Sequence, residues 1–489
     1  MNNNSRGYTY LALLSVIAGV FIAAADQTVV ATILPSVMID LKVQITELDR
    51  ASWTITGYLL GYLGAMPLVG RLSDNWGHRR LFVISMIWFM AGSIAVALAS
   101  SLTWLIVARI FQSIGAGALL PISIAVVGHL FPSERRAVPL GLIGASAEIG
   151  GVIGPLWGGV IVRFLEWTWV FWVNLPLGLI VIVMVLVFTQ STPKIRSRVD
   201  YLGGILVASS LVALTLGLAR IVAADVLMVG YFVAFAVTLA LFTLRERAAG
   251  EHAIIPPIMF KIRAFAAANG THLLVGAALI IVMISLPLMA NTALGLTPLD
   301  GGMLLMRMTA SLAVGAIIGG IACRNFDVRL PATLGLVLAI VGFLLMSNWS
   351  FNVKDSIQTL HLAIVGLGFG LLVSPITLAA TESVGEESRG VAAATVMSMR
   401  MIGMALGMAA LTAWGTDRFQ NLVSGIAIPF AIAGHTGTAS QNKVQEFDTQ
   451  LRMAGMTLFN EFFVIAAVIC LVALIPAACM AWDRFGTRD

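Results

Sequence analysis

The sequence predicts an all-α polytopic membrane protein with about fourteen membrane-spanning helices. Of its 489 residues, 59% are hydrophobic and only 11% are charged, whereas soluble domains carry about 25% charged residues. The apolar residues form long unbroken runs, and a spanning helix needs about 20 of them. Unbroken runs favour helices over the alternating strands of a membrane barrel.

Charge and cysteine content exclude several other classes of protein. The net charge is +5, but the basic residues lie in short segments between apolar runs, so we expect no nucleic-acid binding. Cys323, Cys470 and Cys479 lack metal-ligand spacing, and we expect no metal site. No nucleotide-binding Gly-Lys-Ser/Thr loop occurs, which argues against ATP-driven transport.

The distribution of Lys and Arg predicts the orientation. With the N-terminus inside, 18 of the 29 basic residues fall in inner segments, eight in outer segments and three within spans. This bias predicts that both termini are cytoplasmic and that the number of spans is even. The predicted spans are 9–36, 51–70, 80–99, 103–130, 137–163, 169–190, 201–222, 225–244, 265–292, 301–322, 331–349, 357–381, 391–414 and 457–482.

The segment after the second span, Gly70 to Arg80, carries the most specific pattern. It contains glycines for tight turns and an acidic residue among arginines, which can form a charge network at helix ends. Such a network can hold one conformation and release in another. Residues 320–329, after the tenth span, repeat part of this pattern, with a glycine, an acidic residue and arginines. The repetition predicts a six-helix unit used twice.

The fourth and fifth spans carry two further patterns. Arg109 lies within the fourth, where a buried arginine is costly and normally has a partner or a function. Residues 150–159 of the fifth read Gly-Gly-Val-Ile-Gly-Pro-Leu-Trp-Gly-Gly. The glycines permit close helix contact, and the proline kinks the helix.

Four ionisable residues lie deep in spans: Asp26, Glu148, Arg307 and Arg400. A carboxylate that alternates between an apolar setting and an arginine can bind a proton on one side of a membrane and release it on the other. We therefore predict that these four residues couple transport to protons, with the proton gradient in place of any cofactor. A permanent ion pair that only orients helices remains the alternative.

These segments resemble the loop, fourth-helix and antiporter motifs of the major facilitator superfamily. Asp26-Gln27-Thr28-Val29-Val30 and the 167–178 segment are similar to signatures of its fourteen-span drug:proton antiporter branch. The resemblance implies two six-helix bundles, 1–190 and 264–489, joined by two linker helices in 191–263. It also implies a transporter rather than an enzyme, export rather than uptake, and gating by a set of motif residues. That set is Gly70, Arg71, Asp74, Gly77, Arg79, Arg80, Arg109, Gly150, Gly154, Pro155, Gly158 and Gly159.

Residues 58–68, the surroundings of Glu148 and the run from Arg400 to Phe419 resemble a narrower group, mycobacterial exporters of triacylglycerides and drugs that work with a lipoprotein. Arg307 departs from that group. The resemblance implies proton-coupled export of a lipid or lipophilic drug by alternating access. It also implies a monomer in a bacterial cytoplasmic membrane, surrounded by membrane lipids, with a periplasmic lipoprotein as partner. A periplasmic extension near 415–456 would guide an apolar substrate or meet that partner.

Three alternatives remain open from the sequence. The first is a general multidrug:proton antiporter without a lipid role. The second is an uptake facilitator for a small metabolite, which would need more polar residues facing a cavity. The third is a membrane scaffold or sensor that transports nothing.

Overall fold

The computed structural model describes residues 3–43, 48–189, 200–249, 253–426 and 438–480. Within these ranges the fold is entirely helical. The fifteen α-helices are α1 (Asn3–Asp40), α2 (Leu48–Trp76), α3 (His78–Ala97), α4 (Leu102–Leu130), α5 (Ala137–Phe164), α6 (Trp169–Trp172), α7 (Asn174–Phe188), α8 (Tyr201–Ala219), α9 (Val226–Ala249), α10 (Arg263–Thr292), α11 (Pro298–Asn325), α12 (Arg329–Met346), α13 (Asp355–Glu382), α14 (Arg389–Val423) and α15 (Thr438–Ala478).

Thirteen helical segments in the described ranges are long and apolar enough to cross a membrane. The short α6 and the following α7 together make one of them, 169–188. The long helix α2 is not among the thirteen, although it has 29 residues. Glycine, tyrosine and threonine lower the hydropathy of its central stretch, as residues 54–64 show.

Local sequence fixes several helix ends. The side chain of Ser101 accepts a hydrogen bond from the backbone N–H of Trp104 at the start of α4, as a favoured N-cap residue does. At the start of α11, Thr297 and Asp300 form a reciprocal capping box, which satisfies two otherwise unpaired N–H groups. Gly77 joins α2 to α3 with a φ of 88°, a conformation that favours glycine.

The same helix pairings occur twice along the chain. In the first group, α1 packs on α5, and α4 packs on both α2 and α3; in the second, α10 packs on α14, and α13 packs on both α11 and α12. Helix α7 contacts α1 and α3 as α15 contacts α10 and α12. The first group is therefore α1–α7, the second group is α10–α15, and the linker pair α8 and α9 lies between them in sequence.

The two groups meet through matching surfaces. Helix α5 packs on α11, and α14 packs on α2, which is the same contact under the repeat. Residues 70–80, expected from the sequence to form a loop, are helical except at Gly77, which alone separates α2 from α3. This junction and the starts of α5 and α14 lie at one end of the helices, called here the loop end. The linker helices α8 and α9 pack on each other, and α8 also packs on α2 and touches α14.

Candidate functional site

Asp26 of α1 forms a buried ion pair with Arg109 of α4. Arg109 Nη1 donates to Asp26 Oδ2 at 2.6 Å, and Nη2 donates to the Asp26 carbonyl oxygen at 3.1 Å. Arg109 is 0% exposed and Asp26 is 3% exposed. The guanidinium also lies 4.0 Å from the centre of the Tyr58 ring, where a cation is attracted to the aromatic face. The pair thus satisfies two charges that would be costly alone.

Two amide side chains complete the hydrogen bonding of Asp26. Gln112 Nε2 and Asn174 Nδ2 donate to Asp26 Oδ1 at 3.1 and 2.8 Å. Both amides also donate to the hydroxyl oxygen of Ser93, at 2.8 and 3.2 Å. Gln112 lies three residues after Arg109 and Asn174 lies within the 167–178 segment, but neither was predicted as a site residue.

Glu148 of α5 and Arg400 of α14 form a second ion pair, which joins the two groups. Each lies eleven residues after the first residue of its helix, 137 to 148 and 389 to 400. At 1.5 Å per residue this is about 16 Å from the loop end. The pair lies beside a small cavity of about 10 Å³, about the space that one water needs. Its other lining residues are His272, Val275, Leu279, Leu312, Phe369, Leu372, Val373 and Ile376.

The glycine motif of α5 lies against the part of α1 that carries Asp26. A Cβ on Gly150 would lie 2.6 Å from the carbonyl oxygen of Phe21, and one on Gly154 would lie 2.3 Å from that of Ala25. A Cβ on Gly158 would lie 2.7 Å from the side-chain Cγ2 of Val29 and 3.2 Å from its carbonyl oxygen. Glu148 precedes this motif by two residues. The carboxylates of the two ion pairs therefore lie on one tightly packed helix pair, α1 and α5.

Asp74, in the last turn of α2, joins the 70–80 segment to the second group. Its carboxylate accepts hydrogen bonds from the backbone N–H groups of Gly390 and Val391, at 3.0 and 3.2 Å. These groups open α14, where a negative charge is favoured by the helix dipole. A Cβ on Gly70 would lie 2.6 Å from that of Ala394, so glycine permits the close approach that brings Asp74 into reach.

A second ionic contact joins the groups at the loop end. Arg136, just before α5, pairs with Glu382 at the end of α13, and both side chains are buried. Arg389 lies 3.8 Å from Glu382 and binds Glu386 at 2.8 Å. These residues were not singled out from the sequence, because each looks like an ordinary charge at a helix end.

The repeated loop has kept only part of this arrangement. A Cβ on Gly320 would lie 2.7 Å from the carbonyl oxygen of Ala137, which matches the contact of Gly70 with α14. Asp327 instead accepts hydrogen bonds from Arg329, from its backbone N–H at 2.8 Å and its guanidinium at 2.9 Å. Partial burial raises the pKa of Asp327, but the hydrogen bonds from Arg329 outweigh this effect and hold the pKa below its ordinary value.

The other predicted residues lie apart from the two ion pairs. Arg307 binds Asp355 at 2.6 Å and Thr359 at 2.9 Å, at the end of the helices opposite the loop end. Arg71 is buried, Arg79 is half-buried and Arg80 is exposed at the loop end. Gly151 and Gly159 make only ordinary contacts, with Thr28 and Thr32. Pro155 lies inside α5.

Comparison with known proteins agrees with this architecture. Residues 16–408 match the family described as Major Facilitator Superfamily. A triacylglyceride transporter of Mycolicibacterium smegmatis is 34% identical over 489 residues, covering 96% of this chain and 87% of the relative. One from Mycolicibacterium hassiacum is 35% identical over 491 residues, covering 95% and 90%. One from Mycobacterium tuberculosis is 34% identical over 480 residues, covering 92% and 90%.

Solved structures share the fold. The proton:xylose symporter XylE superimposes with a TM-score of 0.61 at 13% identity, covering 95% of each chain. The human organic anion transporter MFSD10 gives a TM-score of 0.60 at 14% identity, covering 94% of this chain and 99% of the other. The family match spans most of the chain and the relatives align over nearly all of it, so the chain belongs to the major facilitator superfamily of membrane transporters.

Proposed function

We propose that this protein exports triacylglyceride-like lipids or lipophilic drugs from a bacterial cytoplasm in exchange for protons, by alternating access. Two six-helix units would move against each other, with the linker pair as two further spans and both termini cytoplasmic. The loop end would then face the cytoplasm. The protein would act as a monomer, and a periplasmic lipoprotein would receive the lipid.

The observation that carries the proposal is the ion pair between Glu148 and Arg400. It is largely buried, lies among apolar side chains and bridges the two groups. Separating the groups would leave each charge without its partner, which costs about 3–5 kcal/mol for a buried pair. A proton on Glu148 removes the part of this cost that comes from the carboxylate, so opening at the loop end becomes linked to proton binding. Asp26, whose partner Arg109 lies in the same group, would bind a proton when a rearrangement within that group parts the two.

The other contacts between the groups support the same movement. Asp74 with α14, Arg136 with Glu382, and the packing of Gly70 and Gly320 all lie between the Glu148–Arg400 pair and the loop end. Opening the loop end must break them together. The lipid substrate is supported by the names of the mycobacterial relatives, and the outward direction by the glycine-proline motif of α5.

Proteoliposomes test the proposal. The purified protein would be reconstituted, a pH gradient imposed, and a fluorescent triacylglyceride followed together with a pH-sensitive dye in the lumen. We expect gradient-driven lipid movement in the wild type, and loss of its pH dependence in Glu148→Gln and Asp26→Asn. Glu166→Gln, an exposed carboxylate beyond the far end of α5, is the matched control and should behave as wild type.

Three results would contradict all or part of the proposal. Lipid movement that persists after the pH gradient is collapsed would exclude proton exchange. Unchanged coupling of lipid movement to the gradient in both variants would exclude proton exchange at these sites. Gradient-driven movement of ethidium without movement of triacylglyceride would favour a general multidrug antiporter instead.

A further inference from the structure

The second linker helix, α9, carries a buried carboxylate on an otherwise outward-facing surface. Of its 24 residues only Phe242 and Glu246 are buried. Glu246 is 2% exposed and lies near the end of α9 at the loop end. An ionisable group buried on a membrane helix is costly, and such groups usually have a specific partner and a function.

Glu246 holds the chain that leads into the second group. Its Oε1 accepts a hydrogen bond from the backbone N–H of Ile254 at 3.1 Å, and its Oε2 accepts one from Ile255 at 2.9 Å. Ala253 and Ile254 are 0% exposed. This segment precedes α10, so Glu246 fixes the path by which the linker pair joins the second group.

Glu246 also lies against the start of α8. Helix α8 leaves room for the arrangement, because a Cβ on Gly203 would lie 2.9 Å from Glu246 Oε1. The neighbouring Arg245 binds Asp200 at the start of α8, at 2.9 Å.

An apolar cluster extends these contacts to both groups. Val207 and Leu211 of α8 and Phe242 of α9 pack with Leu63 of α2. Met401 and Ile402 of α14, the two residues after Arg400, pack against the same cluster. In this conformation the linker pair therefore contacts both sides of the interface that carries the Asp74 contact.

We propose that Glu246 is a positioning residue that stabilises the conformation closed at the loop end, because it holds Ile255 against the apolar cluster shared by α2 and α14. The linker pair is thereby part of the gate. Neutralising Glu246 weakens its two hydrogen bonds to the 253–255 segment, which loosens the packing of Ile255 on the cluster that joins α2 to α14. This inference rests on the alternating access proposed above.

Distances between spin labels test it in the full chain in lipid nanodiscs. With Cys323, Cys470 and Cys479 replaced by Ala, labels would be attached at Glu134→Cys and Glu387→Cys, both exposed at the loop end, one in each group. We expect one short distance to dominate in this background. Glu246→Gln should raise the long-distance population at least threefold. Asp225→Asn, in an exposed ion pair with Arg220 at the other end of the linker pair, should leave it unchanged.

A second background separates positioning from general stability. With Ile255→Ala already present, Glu246→Gln should cause no further shift, because its effect passes through the packing of Ile255. An equal shift in both backgrounds, or none in either, would overturn the inference. If Glu246→Gln does not fold, Gly203→Ala displaces the same carboxylate, and a wild-type distribution in that folded variant would overturn it equally.

Asp74→Asn distinguishes this inference from the proposed function. A shift with Asp74→Asn but not with Glu246→Gln would overturn the role of Glu246 and leave alternating access standing. No shift with either would overturn both.

Discussion

Arg109 shows how a single residue can hold several elements together. Its guanidinium donates to the side chain and the backbone of Asp26 and to Gln112 Oε1, at 2.6, 3.1 and 2.7 Å. These bonds join α4 to α1 in a site without exposure to solvent. The planar guanidinium presents several N–H donors in fixed directions, and the ammonium group of a lysine could not make the same set of hydrogen bonds.

Removing this guanidinium should destabilise the protein strongly. Arg109→Met leaves Asp26 buried with only the two amides, and losing one partner of a buried pair costs about 3–5 kcal/mol. We expect a clearly lower midpoint of thermal unfolding in detergent, partly recovered by adding Asp26→Asn. Arg220→Met breaks an exposed pair, which is worth about 0–1 kcal/mol. Equal losses in the two single variants would contradict this account.

At the scale of elements, the contact between α1 and α5 depends on which glycines face it. Gly150, Gly154 and Gly158 follow each other at four-residue spacing, so they share one helix face. A Cβ on any of these three would lie within 3 Å of α1 atoms. Gly151 and Gly159 lie beside this face, where a Cβ would make ordinary contacts.

Alanine substitution should therefore separate the glycines of one motif. Gly154→Ala forces α1 and α5 apart at a backbone carbonyl that cannot yield, and overpacking costs about 1–3 kcal/mol. Gly159→Ala should change the free energy of unfolding by less than about 0.5 kcal/mol. Thermal unfolding and transport, measured on both variants, check the difference. A Gly159→Ala variant as damaged as Gly154→Ala would show that the motif acts in another way.

At the scale of the whole molecule, the closed loop end depends on a few contacts between the two groups. Glu382 holds a central position there, because Arg136 and Arg389 both approach it. It is buried, so its loss leaves two arginines without their shared partner. Asp74 adds a contact that is independent of this carboxylate.

Neutralising Glu382 should open the loop end. In a cysteine-free background carrying Ala137→Cys, a position that is 1% exposed at the interface between α5 and α11, Glu382→Gln should speed maleimide labelling about tenfold. That change corresponds to about 1.4 kcal/mol, less than the full cost of breaking a buried pair. Glu134→Gln, an exposed neighbour, is the control. Unchanged labelling with Glu382→Gln would mean that the ion pair does not hold this end closed.

The sequence by itself determined that the chain is helical and membrane-bound, because apolar bulk and unbroken runs have no other stable arrangement. It also located Asp26, Glu148 and Arg400, since a charge within an apolar run is conspicuous. Their roles in proton coupling remain predictions. Only the tertiary structure decided which charges pair: Asp26 with Arg109, Glu148 with Arg400, and Arg307 with Asp355. Partners distant in sequence are chosen by helix packing, which periodicity does not encode. Glu246 was not predicted as a site residue for the same reason. At the end of a span it looks like a solvated charge until its neighbours are known.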